Sequence, residues 1–167
     1  MSHAPTGPLT DLPTLWRDLL LDLRDVFDVH FVCATFAYHV ARHTGARALV
    51  AVADVQARYY DVWLNEPSGQ ATQMRWTNDE GGLEPLLTLP GPTTVDKLER
   101  SAAEVIGGRV WLLAKRRLLA APLPRDERLY SAYPPTLLAL LDPPPQPELE
   151  RLLTELTGLM SVFLDRA

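Results

Sequence analysis

Leu12, Leu15, Trp16, Leu19, Leu20, Leu23, Val26 and Phe27 follow one another at three- and four-residue steps. That period predicts a helix with one broad apolar stripe, opposite a face carrying Arg17, Asp18, Asp22, Arg24 and Asp25. Thr10 or Asp11 can cap its start, and Pro13 falls in the first turn, where a missing N–H costs little. A second helix is predicted over Phe31 to Thr44, stopped by Gly45. Its core side runs through His30, Cys33, Ala34, Ala37, Val40 and Ala41, which leaves His39 and His43 near the edge.

The period then changes from helical to alternating. Ala48 to Val55 is a continuous apolar run, and Ala57 to Asn65 alternates, with Tyr59, Asp61 and Trp63 on one face and Tyr60, Val62 and Leu64 on the other. After the turn Asn65 to Gly69, a more polar strand over Gln70 to Trp76 places Met74 and Trp76 opposite Gln73 and Arg75, completing a three-stranded meander. Residues 77 to 108 are broken by Gly81, Gly82, Pro85, Pro90, Gly91 and Pro92, with short helices expected at Leu83 to Leu87 and Asp96 to Ile106. Val110 to Ala114 is expected to re-enter as a short strand. Leu118 to Leu123 and Thr136 to Leu141 then form a closing hairpin. Beyond the Pro143 to Pro147 break, Leu149, Leu152, Leu153, Leu156, Leu159, Met160 and Phe163 define an amphipathic terminal helix.

Composition narrows the function classes. The chain has 167 residues and 47% apolar content, enough for one core, so residues 1–10 are expected to be a flexible tail and 11–167 a single domain. Sixteen basic against 21 acidic residues give a charge of −5, which argues against nucleic acid as a partner. No apolar run is long enough to span a bilayer and no signal-peptide layout is present, so a cytoplasmic location without membrane insertion is expected. One cysteine, Cys33, cannot form an internal disulfide and lies in an apolar segment, as a buried thiol would.

The order helix, helix, three strands, irregular crossover, strands, helix resembles the GAF domain, a sensor module of signalling proteins. The resemblance rests on LVAVADVQARYYDVWLNE in the early hairpin, TTVDKLE in the crossover, LLAAPLPRDERL before the closing turn and LLALLDPPPQPELERLLTELTGLMSVFL at the end. A PAS-like sensor shares the general layout of an antiparallel sheet flanked by helices. The GAF resemblance implies an α+β fold: an antiparallel central sheet of five to six strands, with the N- and C-terminal helices on one face and the irregular helical crossover on the other. It also implies a ligand pocket under the crossover. The chain lacks the asparagine-lysine-phenylalanine-aspartate-glutamate pattern of cyclic-nucleotide-binding members, a histidine after Cys33 as in bilin attachment, and the cysteine set of the methionine-sulfoxide-reducing members.

Chemistry is sparse. His39 and His43 stand four apart, as two metal ligands on a helix face would, but the sequence offers no third ligand at a recognisable spacing and no metal is expected. No nucleophile motif is present, and the glycine pairs 81–82 and 107–108 lack phosphate-loop context. Lys115, Arg116 and Arg117 read as a solvated strand start. No catalytic residue is assigned, and no cofactor can be named.

The expected ligand residues are Tyr59, Asp61, Trp63, Met74, Trp76, Asp96 and Arg109. The two striped helices suggest a homodimer through Leu12, Leu15, Trp16, Leu19, Leu23, Leu152, Leu156, Leu159 and Phe163. The leading functional expectation is a sensory or regulatory domain. It would bind a small ligand or partner and signal through its terminal helices to an effector such as a histidine kinase of a two-component system, of which this chain would be the N-terminal part. Alternatives are an interaction module without a small ligand, and a small enzyme in which Asp61, Asp96 and the histidines converge.

Overall fold

The computed structural model describes residues 12–54, 58–77, 83–99, 108–124 and 133–166; the expected N-terminal tail lies outside them. Helices α1 (Leu12–Leu23) and α2 (Val29–Thr44) precede strands β1 (Arg47–Ala53), β2 (Tyr59–Asn65) and β3 (Ala71–Thr77). The crossover holds α3 (Glu84–Leu87), β4 (Thr93–Asp96) and α4 (Gly108–Leu113), and the chain closes through β5 (Arg117–Pro122), β6 (Thr136–Leu141) and α5 (Glu148–Arg166). Among the described residues no helix is long and apolar enough to cross a membrane.

The six strands form one antiparallel sheet in the order β3-β2-β1-β6-β5-β4, the α+β layout expected above. β1 and β6 pair along Arg47↔Leu141 to Val52↔Thr136 at its centre. Alternation divides their side chains between two cores. Ala48, Val50, Val52, Leu138 and Leu140 pack with α1, α2 and α5, whereas Leu49, Ala51, Ala53, Leu137 and Ala139 pack with Leu83, Leu86, Val110 and Ala114 of the crossover. α2 lies directly on β1 and β2, and α1 covers α2 from outside.

Local chemistry explains the element ends. Asp28 caps α2 by accepting from the His30 N–H at 2.9 Å, and Gly45 closes it at φ 70°, where a side chain would be strained. α1 stops at Leu23, short of the expected stripe to Phe27, because the Val26 N–H turns back onto the Leu23 carbonyl before the α2 cap. Two expectations in the crossover are corrected. Thr93–Asp96, β-branched and facing Val95 inward, is a strand paired with β5, so no helix begins at Asp96; residues 100–106 lie outside the description. Val110 to Leu113 is helical, not a strand, with Ala114 just past the helix end: β5 already has partners on both sides, and the four-residue step from Val110 to Ala114 buries both while Leu112 stays exposed.

Asp142 ties the connection into β5 to the end of β6. Its carboxylate accepts from the backbone N–H groups of Lys115, Arg116 and Arg117 at 2.9, 2.7 and 3.1 Å and from the Arg47 guanidinium at 3.0 Å, while Asp142 itself holds φ 51°. Burial alone would raise its pKa, but these four donors together outweigh it and hold the carboxyl below the usual carboxylate range. A depressed folded pKa adds stability above the unfolded value near pH 4, and that stability is lost as pH falls through the folded value. Asp142→Ala should therefore cost about 2–3 kcal/mol in urea unfolding at pH 7 and less at pH 2–3. An equal cost at both pH values would contradict the ionised anchor.

Candidate functional site

Alternation in β2 and β3 sorts the seven expected ligand residues onto different surfaces. Tyr59, Asp61 and Trp63 lie on the helix side of the sheet, across from Thr77, Arg75 and Gln73. Met74 and Trp76 pair with Val62 and Tyr60 and pack into the crossover core, where Trp76 is 1% exposed and its indole N–H has no partner among the described residues. Asp96 sits on β4 at the opposite sheet edge from β3, 3.6 Å from the Arg116 guanidinium, and Arg109 is exposed on α4. The seven do not form one site. The description of Trp111 does not extend to its side chain.

Tyr59 and Asp61 do line a site, completed by residues that the alternation alone did not link to them. An open cleft of about 470 Å³ lies where the first turn of α2 meets β2 and β3, bounded by Val29, His30, Val52, Ala53, Asp54, Arg58, Tyr59, Asp61, Arg75 and Pro134. The Asp61 side chain is 11% exposed. It accepts from Arg75 Nε at 3.0 Å and lies 3.5 Å from His30 Nε2, so its charge is met from two elements. The Arg75 guanidinium also covers the Tyr59 ring at 4.0 Å, and His30 leans on Trp63 with ring centroids 5.5 Å apart. The side-chain hydrogen bond to Asp61 raises the Arg75 pKa further, so this group is always charged. Arg58 lies with Nε 3.6 Å from Asp54, whose carboxylate accepts the Arg58 backbone N–H at 2.7 Å. Both arginines meet their carboxylates through Nε, and among the described residues their terminal N–H groups hold no partner.

A larger cavity of about 520 Å³ lies between the α3–β4 connection and α5, lined by Leu87, Leu89, Pro122, Leu123, Thr136, Thr157 and neighbouring residues. None of its described lining residues ionises, so it offers shape without the charge needed to orient a polar molecule.

Other expected features take different places. His39 and His43 are not at an exposed edge: α1 covers that side of α2, leaving their side chains 9% and 12% exposed. Asp61 meets His30, but Asp96 and the His39–His43 pair stand on other surfaces, so among the described residues the full set that the enzyme alternative brings together does not converge. Leu15, Leu19, Leu23, Leu152, Leu156 and Phe163, expected at a dimer interface, are at most 3% exposed inside the domain's own core, with Trp16 and Leu159 packed partly against it. The Leu12 side chain lies outside the description.

With this geometry in hand, comparison with known proteins is informative about fold. No family model matches the chain, and no curated protein does. Among solved structures it is similar to the GAF domain of the Acinetobacter phosphoenolpyruvate-protein phosphotransferase, with a TM-score of 0.59 and 16% identity over 98% of this chain and 94% of that one. It is also similar to the free methionine-R-sulfoxide reductase of Neisseria meningitidis in complex with its substrate (TM-score 0.59, 14% identity, 99% and 93% covered). A third is the chromophore-binding domain of the R. palustris bacteriophytochrome RpBphP3 (TM-score 0.60, 12% identity, 96% and 60% covered). The fold is GAF-like. These neighbours carry different activities on one scaffold, so function rests on the side chains.

Cys33 is completely buried, and burial first, then the Asp28 and Asp61 carboxylates, push its thiol far above the ordinary range. A thiol-reactive dye at pH 8 should leave the folded protein unlabelled and label one equivalent in denaturant. Stoichiometric labelling of the folded protein within minutes would contradict this burial.

Proposed function

We propose that this GAF-like chain is a sensory or regulatory domain whose ligand is a small molecule bearing a carboxylate or phosphate group, bound in the cleft between α2 and the β2–β3 hairpin. The observation that carries the reading is the pair Arg58 and Arg75. Both line the cleft, both are held by carboxylates through Nε, and both keep terminal N–H groups without a partner among the described residues. A guanidinium positioned in this way presents a planar fork to an anion. Asp54 and Asp61 orient the forks, and the Tyr59 ring supplies an apolar wall beside them.

Ligand occupancy would be felt first by α2, whose opening turn contributes Val29 and His30 to the cleft. α2 packs against both terminal helices, with Phe36 meeting Phe163 of α5 edge to face at 6.3 Å. Movement there would reach an effector, a histidine kinase being one candidate, through α1 and α5.

A second reading, association with a like chain or partner protein, is favoured by exposed Leu20, Leu21, Phe27 and Phe31 around the α1–α2 turn, at 49 to 64% exposure. Such an interface would use this turn, since Leu15, Leu19, Leu23, Leu152, Leu156 and Phe163 are buried internally. Sedimentation at rising concentration tests it: Leu21→Glu with Phe31→Glu should return any dimer to monomer, and a protein monomeric throughout rejects homodimerisation.

For the ligand, native mass spectrometry followed by thermal titration with small carboxylates and phosphate esters should yield an anionic binder. Arg58→Ala and Arg75→Ala should each weaken it about tenfold or more, the equivalent of about 1.4 kcal/mol. A binder whose affinity survives both substitutions would place the site elsewhere.

A further inference from the structure

We propose that Asp18, His39 and His43, with Asp22 beside them, form a site for a divalent transition metal of the zinc class that fastens α1 to α2. The sequence pairs the histidines four apart on α2, and it also sets Asp18 and Asp22 four apart on α1. Each pair shares one helix face. Because α1 and α2 join through a short turn and run back along each other, the two faces meet in antiparallel register. Asp22 Oδ2 lies 2.6 Å from His39 Nε2, and Asp18 Oδ2 lies 3.2 Å from His43 Nε2.

The donor atoms of Asp18, His39 and His43 all fall within 4.8 Å of one another. Tetrahedral zinc, with bonds of about 2.0–2.1 Å, needs donors about 3.3 Å apart. The His43–Asp18 pair already meets that spacing, and side-chain rotation supplies the rest. Two imidazoles with carboxylates select zinc, cobalt or nickel over calcium or magnesium, which take oxygen ligands.

Burial and charge fit the same reading. The imidazoles form the floor at 9% and 12% exposure, and the carboxylates form the rim at 54% and 30%, leaving the acidic side open to an entering cation. Arg17, itself 66% exposed, lies 3.7 Å from Asp18. Tyr38 packs edge-on to His39 with ring centroids 5.0 Å apart and holds its ring in place, and Arg42 in turn donates to the Tyr38 hydroxyl at 2.8 Å. His39 Nδ1 is buried without a partner among the described residues, so the polar contact of the ring is made through Nε2, on the side of α1.

Two His–Asp hydrogen bonds could hold the helices without a metal, and the test separates these cases. The full chain is stripped with chelator and titrated with Zn²⁺ by calorimetry, and with Co²⁺ by visible absorption. Wild type should bind one equivalent, and Tm should rise by about 5–10 °C at a hundredfold excess over Kd. His43→Gln and Asp18→Asn should each weaken Zn²⁺ binding at least about tenfold. Asp18→Asn keeps a hydrogen-bonding side chain and should stay folded by circular dichroism, so its loss of metal would not be a loss of structure. Three results would each overturn the proposal: no binding by wild type, undiminished binding by both variants, or full binding by Asp18→Asn alone.

Discussion

The sheet centre is apolar on both faces, and that constraint organises everything around it. From Ala48 to Ala53 and from Leu137 to Leu141 every residue is buried, so alternation here divides two cores and separates no core from solvent. A sheet whose central strands are dry on both faces needs two covers. α2 and α5 serve one face directly and α1 closes over α2, while the crossover elements α3 and α4 serve the other. The apolar stripes of α1 and α5 are the covers' inner surfaces. Most of their width, which by itself suggests pairing between molecules, is taken up inside one domain by the thickness of the helical layer, while Leu20 of α1 stays 49% exposed.

The long periodic elements were legible in the sequence because their signals are local. The Gly45 stop, the Asn65–Gly69 turn and the Pro143–Pro147 break each act within a few residues, and the observed ends fall within a residue or two of them. The crossover was less legible for an equally physical reason. Thr93–Asp96 and Val110–Ala114 are short enough for tertiary context to decide, and that context, the edge position beside β5 and the absence of room between β4 and β6, is non-local.

The site shows the same division. Alternation correctly placed Tyr59, Asp61 and Trp63 together, and Met74 and Trp76 opposite Gln73 and Arg75, but combining residues of the two sheet faces into one pocket ignored the sheet between. The partners Arg75 and His30 carried weaker signals. Arg75 is readable as the cross-strand neighbour of Asp61 once the hairpin register is set by its turn. His30 is not, since its approach depends on how the N-terminus of α2 docks on β2. The burial of His39 and His43 was likewise hidden, because one helix's face cannot report what a second helix lays over it.

α2 makes these separate observations mechanically continuous. Its first turn borders the cleft of Arg58 and Arg75, its later turns meet α1 through two His–Asp contacts, and its inner face lies on β1 and β2. From His30 to His39 the helix runs about 13 Å at 1.5 Å per residue. Val32, Cys33, Phe36, Ala37, Val40 and Ala41 are all fully buried, so the intervening turns are packed on their inner side. On the reading proposed above, a displacement imposed at the cleft would be carried along the rod to the α1 contacts. Coupling of this kind would be reciprocal: whatever tightened α1 against the histidines would also restrict the positions His30 can take beside Asp61. On the two proposals above, the chemistry at the two ends of α2 differs completely, an anion at one and a cation at the other, while both would act on a single coordinate, the seating of one helix on the sheet.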